Sequence, residues 1–168
     1  MYSNFAFNES LKRLEPCEKT CIYCAENEFE KMEDCYFAPI YKVKNRLNVI
    51  VASSVSFSEI NVGIPRCRDC KGKHEKVETT ILLYGLAAFV ATFTILFLLF
   101  SSSGKGVAIT VGLLISPLVG IFTAMSLRDS EMYKTGICSP SDGAETTELV
   151  QELLWDGWTL QRPNPRGE

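Results

Sequence analysis

The stretch from residue 79 to residue 127 constrains this chain more than any other: 49 residues with one charged side chain, Lys105. A chain of 168 residues has too little other apolar sequence to enclose such a block in a water-soluble core. Within it, Ile81 to Phe100 (ILLYGLAAFVATFTILFLLF) is 20 uncharged residues. As a helix rising 1.5 Å per residue it covers about 30 Å, the thickness of a bilayer's hydrocarbon core. Val107 to Met125 is a second uncharged run, of 19 residues, with Pro117 near its middle. A membrane helix tolerates such a proline when a hydroxyl or a neighbouring helix satisfies the freed carbonyl. Ser101 to Gly106 is long enough only for a turn, so the two runs predict an antiparallel transmembrane hairpin in a lipid bilayer. Gly112, Ser116 and Gly120 recur every fourth residue, a small-residue stripe that permits close helix approach. Ala87 with Ala91, or Ala88 with Thr92, are the expected facing positions.

The flanks set an orientation. Lys71, Lys73 and Lys76 precede the first run, Arg128 and Lys134 follow the second, and the turn offers only Lys105. The positive-inside rule then puts both termini in the cytoplasm, as an integral, multi-pass membrane protein. Residues 1–30 contain no apolar signal core, so no cleaved leader is expected there. Residues 1–78 hold 12 basic and 12 acidic side chains, and residues 128–168 hold 4 and 8. No block has the basic excess of a nucleic-acid binder, so nucleic acid is not expected as a partner.

Seven cysteines occur, six of them ahead of the first apolar run: Cys17, Cys21, Cys24, Cys35, Cys67 and Cys70. A reducing cytosol argues against disulfides. Cys21/Cys24 and Cys67/Cys70 are two C-x2-C pairs, each able to present two thiolates to one tetrahedral zinc at about 2.3 Å. Together they make a four-thiolate set. Cys17, Cys35 and His74 are alternative ligands, since Cys17 can replace Cys21 and His74 can replace one of the second pair. Zinc also answers a stability problem. A domain this small and this charged buries little apolar surface, and a structural zinc contributes about 10 kcal/mol or more of coupled folding and binding free energy.

Between the pairs, residues 36–44 (YFAPIYKVK) and 47–64 (LNVIVASSVSFSEINVGI) are rich in β-branched and aromatic residues. Asn45-Arg46 is the expected tight connection, which makes a hairpin, and Pro65 ends the second strand. Knuckle, strands, knuckle over residues 17–76 resembles the zinc-ribbon (rubredoxin-like) group, with a longer insert than usual. The chain also resembles small uncharacterised bacterial membrane proteins with an I-P-R-C-x-x-C-K stretch ahead of two spans, a resemblance that implies no activity.

The resulting expectation is an α+β chain. Residues 1–16 form an N-terminal segment, 17–78 a small β-rich zinc ribbon facing the cytosol, 79–127 the helical hairpin, and 128–168 a polar tail. Residues 1–14 suit a short amphipathic helix packed through Phe5, Leu11 and Leu14, and 126–143 reads as a linker. Residues 144–155 suit an amphipathic helix with Leu149, Val150, Leu153 and Leu154 on one face, docking on the chain's own cytosolic part or on a partner. Cys138 has no ligand-type neighbour. His74 is the single histidine, set among Lys73, Glu75 and Lys76, and nucleotide-binding, serine-hydrolase and zinc-protease motifs are all missing. No catalysis is expected. The expected role is that of a membrane-anchored interaction or scaffold module with a protein partner. A homo-oligomer is compatible with it, and thiol–disulfide redox chemistry at a C-x2-C pair is the alternative.

Overall fold

A computed structural model describes residues 4–49, 52–101 and 104–165. The chain forms two compact units. One comprises residues 1–71 together with 138–168, the other residues 72–137.

The first unit is built on a four-stranded sheet of order β1-β2-β4-β3. Strand β1 (Phe5–Asn8) pairs antiparallel with β2 (Arg13–Pro16), so the N-terminal segment is a β-hairpin and not the expected helix. Lys12, at φ 49°, turns the chain between them. Leu14 is buried as expected, while Leu11 is exposed. Strand β2 in turn pairs in parallel with β4 through Arg13 with Asn61 and Leu14 with Val62. These long-range pairings outweigh the helical spacing of the apolar residues, because a strand edge at β4 offers backbone partners that an isolated helix would lack.

Strands β3 (Tyr36–Val49) and β4 (Ala52–Ile64) form the predicted long hairpin. Asn45-Arg46 are not its turn: they are paired with Ser56 and Val55 inside the ladder, which continues to Val49 with Ala52. A bulge between Val43 and Asn45 absorbs one residue and resets the register beyond it. Pro39 is tolerated because β3 is the sheet edge. The N–H of Tyr41, two residues on, points away from β4 and bonds Thr159 O at 2.8 Å. The returning N–H of Thr159 bonds Tyr41 O at 2.8 Å, so the C-terminal tail caps this edge.

The expected C-terminal helix is two pieces, α3 (Pro140–Glu145) and α4 (Glu148–Trp155). Ser139 caps α3 by accepting from the N–H of Asp142 at 3.2 Å. Leu149, Val150 and Leu153 of α4 are buried, and Ile40, Val62 and Ile64 of the sheet are fully enclosed.

The second unit is a helical pair. Helix α1 spans Arg68–Phe100 without interruption, and α2 spans Lys105–Lys134, well into the expected linker. Both are long and apolar enough to cross a membrane. Ala108, Gly112, Ser116 and Gly120 of α2 are all buried, so the small-residue stripe is a contact face. Its partners differ from the expected alanines. The backbones meet at Gly85 and Gly120, where a Cβ on Gly120 would stand 2.9 Å from Gly85 O. A Cβ on Gly112 would stand 2.8 Å from the Phe93 ring. Phe89, Phe93 and Phe97 stack in succession at 6.3 and 6.4 Å between centroids. A ridge of phenylalanines on α1 thus fills the groove left by small residues on α2.

Candidate metal centre

Each cysteine pair gets its geometry from a different local structure. Cys21 and Cys24 sit on a tight knuckle closed by Ala25 N–H to Cys21 O at 2.8 Å and Cys21 N–H to Asn27 O at 2.8 Å. Ala25 takes a left-handed conformation, φ 56°, to make the turn. That turn aims the N–H groups of Glu26 and Asn27 at the Cys24 sulfur. Cys67 and Cys70 are not on a second knuckle. Cys67 immediately precedes α1 and Cys70 lies in its first turn, with Lys71 N–H bonding Cys67 O at 3.0 Å. The Cys70 N–H is directed at the Cys67 sulfur, so this thiol acts as a helix cap. Pro65, two residues earlier, keeps the helix from starting sooner.

The fold gathers these four sulfurs to within 4.8 Å of one another. Cys24 Sγ lies 3.8 Å from Cys67 Sγ. Four thiolates around one tetrahedral zinc, each at about 2.3 Å, stand about 3.8 Å apart, so the set fits that ion. It is far from the about 2.05 Å of a disulfide, and the cysteines are all free thiols. Cys21, Cys67 and Cys70 are buried and Cys24 is partly exposed.

The electrostatics are uneven. Burial pushes the Cys67 and Cys70 thiols above their ordinary value, and the neighbouring thiols add to the rise at Cys70. Burial also pushes Cys24 up, but the N–H groups of Glu26 and Asn27 and the Cys21 and Cys67 thiols outweigh it, leaving Cys24 at about 7. A divalent cation held among the four would stabilise their thiolates together.

The three alternative ligands lie outside this group. Cys17 is exposed, its N–H bonded to Asn4 O at 2.8 Å. Cys35 is buried, and burial raises its thiol. His74 is only 1% exposed, which removes it from the solvated stretch its charged neighbours suggest.

Two supporting contacts were not visible in the residue pattern. Lys71 Nζ reaches Asp34 Oδ1 and Glu33 O, each at 3.0 Å, and Arg66 Nε donates to Asp34 O at 2.9 Å. The short 3-10 helix at Met32–Asp34 therefore ties down both flanks of the second pair. On the other side Tyr23, inside the first knuckle, is buried and donates its hydroxyl to Pro140 O at 3.1 Å. Its ring lies so close over Gly143 that an added Cβ there would collide with it.

The arrangement defines a class, a compact α+β unit with a four-cysteine site suited to a metal ion. No protein-family model, curated protein or solved structure matches the chain.

Proposed function

We propose that this chain is a membrane-anchored zinc protein in which Cys21, Cys24, Cys67 and Cys70 hold one structural zinc, and which serves as an interaction or scaffold module. The observation that carries the reading is the four sulfurs gathered at tetrahedral spacing. Four thiolates close the coordination sphere, leaving no position for water or substrate, so the ion braces the unit and does no chemistry. The layout resembles a zinc ribbon in which the second knuckle is replaced by the first turn of α1. The helical pair is the anchor: Leu82, Leu98, Leu114, Leu118 and Phe122 are each 67% or more exposed. So large an apolar surface suits lipid, and the flanking lysines and arginines suit both termini on the cytosolic side.

Elemental analysis of the purified full chain is expected to give one zinc per chain, with four thiols becoming titratable on chelation. Cys67→Ser with Cys70→Ser is expected to abolish metal binding and unfold the first unit while membrane insertion persists. A chain that retains its fold and its protected thiols without metal would overturn the reading. The thiol held at about 7 on Cys24 favours the redox alternative at a C-x2-C pair, for which the expected sign is a metal-free chain forming a reversible disulfide within Cys21/Cys24 or Cys67/Cys70.

A further inference from the structure

The first unit carries a cleft of about 570 Å3 beside the first knuckle, and we propose that it binds a cationic, apolar-anchored peptide segment of a partner protein. The proposal deepens the scaffold reading by naming the partner's chemistry, and it rests on that reading for there being a partner. Phe5, Pro16, Ile22, Pro65 and Leu149 make an apolar floor, with room for two or three side chains. Glu18, Glu148 and Glu152 also line the cleft, and among the described residues no Lys, Arg or His does. A shallower depression shares Glu148 and Glu152 and leads on to Trp155 and Asp156. From Thr135 to Gln161 the chain has five acidic residues and no basic one.

These features select the occupant. Trp155 is 90% exposed, a large aromatic face left in water where a partner's Lys or Arg can lie over the ring. The apolar floor asks for aliphatic side chains, and the one-signed border asks for positive charge between them. Glu148 lies in the first turn of α4, where the helix's own positive end offsets part of its charge. Glu18 and Glu152 therefore carry most of the attraction. An anionic leaflet would meet like charge here, which disfavours lipid as the occupant.

The test uses the full chain in neutral phosphatidylcholine nanodiscs, with zinc content measured on the same sample. The probe is a fluorescein-labelled decapeptide of alternating lysine and leucine, followed by anisotropy, with a glutamate–leucine peptide as its opposite. The lysine peptide is expected to bind saturably and the glutamate peptide not to bind. E18Q with E152Q is expected to weaken binding at least tenfold, and W155A about fivefold. E9Q with E59Q, the same change in net charge elsewhere, should change it less than twofold. No binding, or equal weakening by both double variants, would overturn the proposal. In a W158F chain, quenching of Trp155 emission by brominated lipid would also overturn it, assigning this face to the bilayer. Zinc present without peptide binding refutes the cleft alone. Peptide binding without zinc refutes the metal reading and leaves the cleft supported.

Discussion

Cys24 differs from the other clustered thiols in what surrounds its sulfur: two backbone N–H groups from the turn after it offset its burial. In metal-free protein it is therefore expected to react before Cys67 and Cys70. Iodoacetamide labelling followed by peptide mass spectrometry should show its rate rising through about pH 7 and levelling above it. Cys67 and Cys70, raised by burial, should lag until well above the ordinary thiol range. The sign follows from the chemistry, since only the thiolate attacks and a lowered pKa moves the thiolate to lower pH. Lys71 and Asp34 offer a second test at this scale. Lys71→Met breaks an ion pair that holds the flank of Cys70 and leaves the Asp34 carboxylate, 12% exposed, without that cation. A loss of about tenfold in zinc affinity is expected by competition with a chromophoric chelator, in line with other supporting shells of metal sites. The C-x2-C spacings marked the two pairs of thiols that the fold gathers, because each pair is set by local geometry. Asp34 was not legible: it lies 32 residues from Arg66 and 37 from Lys71, and nothing local marks it.

Among the elements, the helical pair was read from hydropathy and its contact face from glycine spacing. The facing ridge was missed, because alanines at helical spacing look as suitable as Gly85 and the phenylalanines that follow it. What decides is volume: a groove of Gly112, Ser116 and Gly120 accepts a ring at Phe93 and a bare backbone at Gly85. Gly120→Val should therefore push α1 and α2 apart, at a cost of about 1–3 kcal/mol as for other overpacked contacts. A lower SDS midpoint for loss of helical circular dichroism would show it, and Ala91→Val, on an exposed position, should leave the midpoint unchanged. The β3–β4 hairpin was legible from composition, but its turn was not. Asn45-Arg46 has turn chemistry, yet cross-strand pairing continues past it because the bulge at Val43/Asn45 takes up the irregularity. At the C-terminus, Thr146 and Thr147 interrupt the expected single helix, with both hydroxyls bonding Gly143 O at 3.0 Å.

At the scale of the molecule, the chain leaves the first unit at residue 71 and returns to it at residue 138. The returning segment is structural. It buries Leu149, Val150 and Leu153, receives the Tyr23 hydroxyl at Pro140 O, and pairs Thr159 with Tyr41. Truncation after Ile137 should therefore expose the first knuckle, and alkylation of the zinc-loaded chain should become at least tenfold faster. Tyr23→Phe, which removes one hydrogen bond and keeps the ring, should show the same direction at about 1 kcal/mol. Hydropathy determined the two long apolar helices, and cysteine spacing marked two C-x2-C pairs, since both depend on neighbours a few residues apart. The tertiary structure decided that the second pair caps a helix, that the N-terminus is a hairpin, and that a tail more than a hundred residues away supports the first knuckle. Those outcomes depend on which distant surfaces meet and bury each other, an energy that no local stretch of this chain encodes.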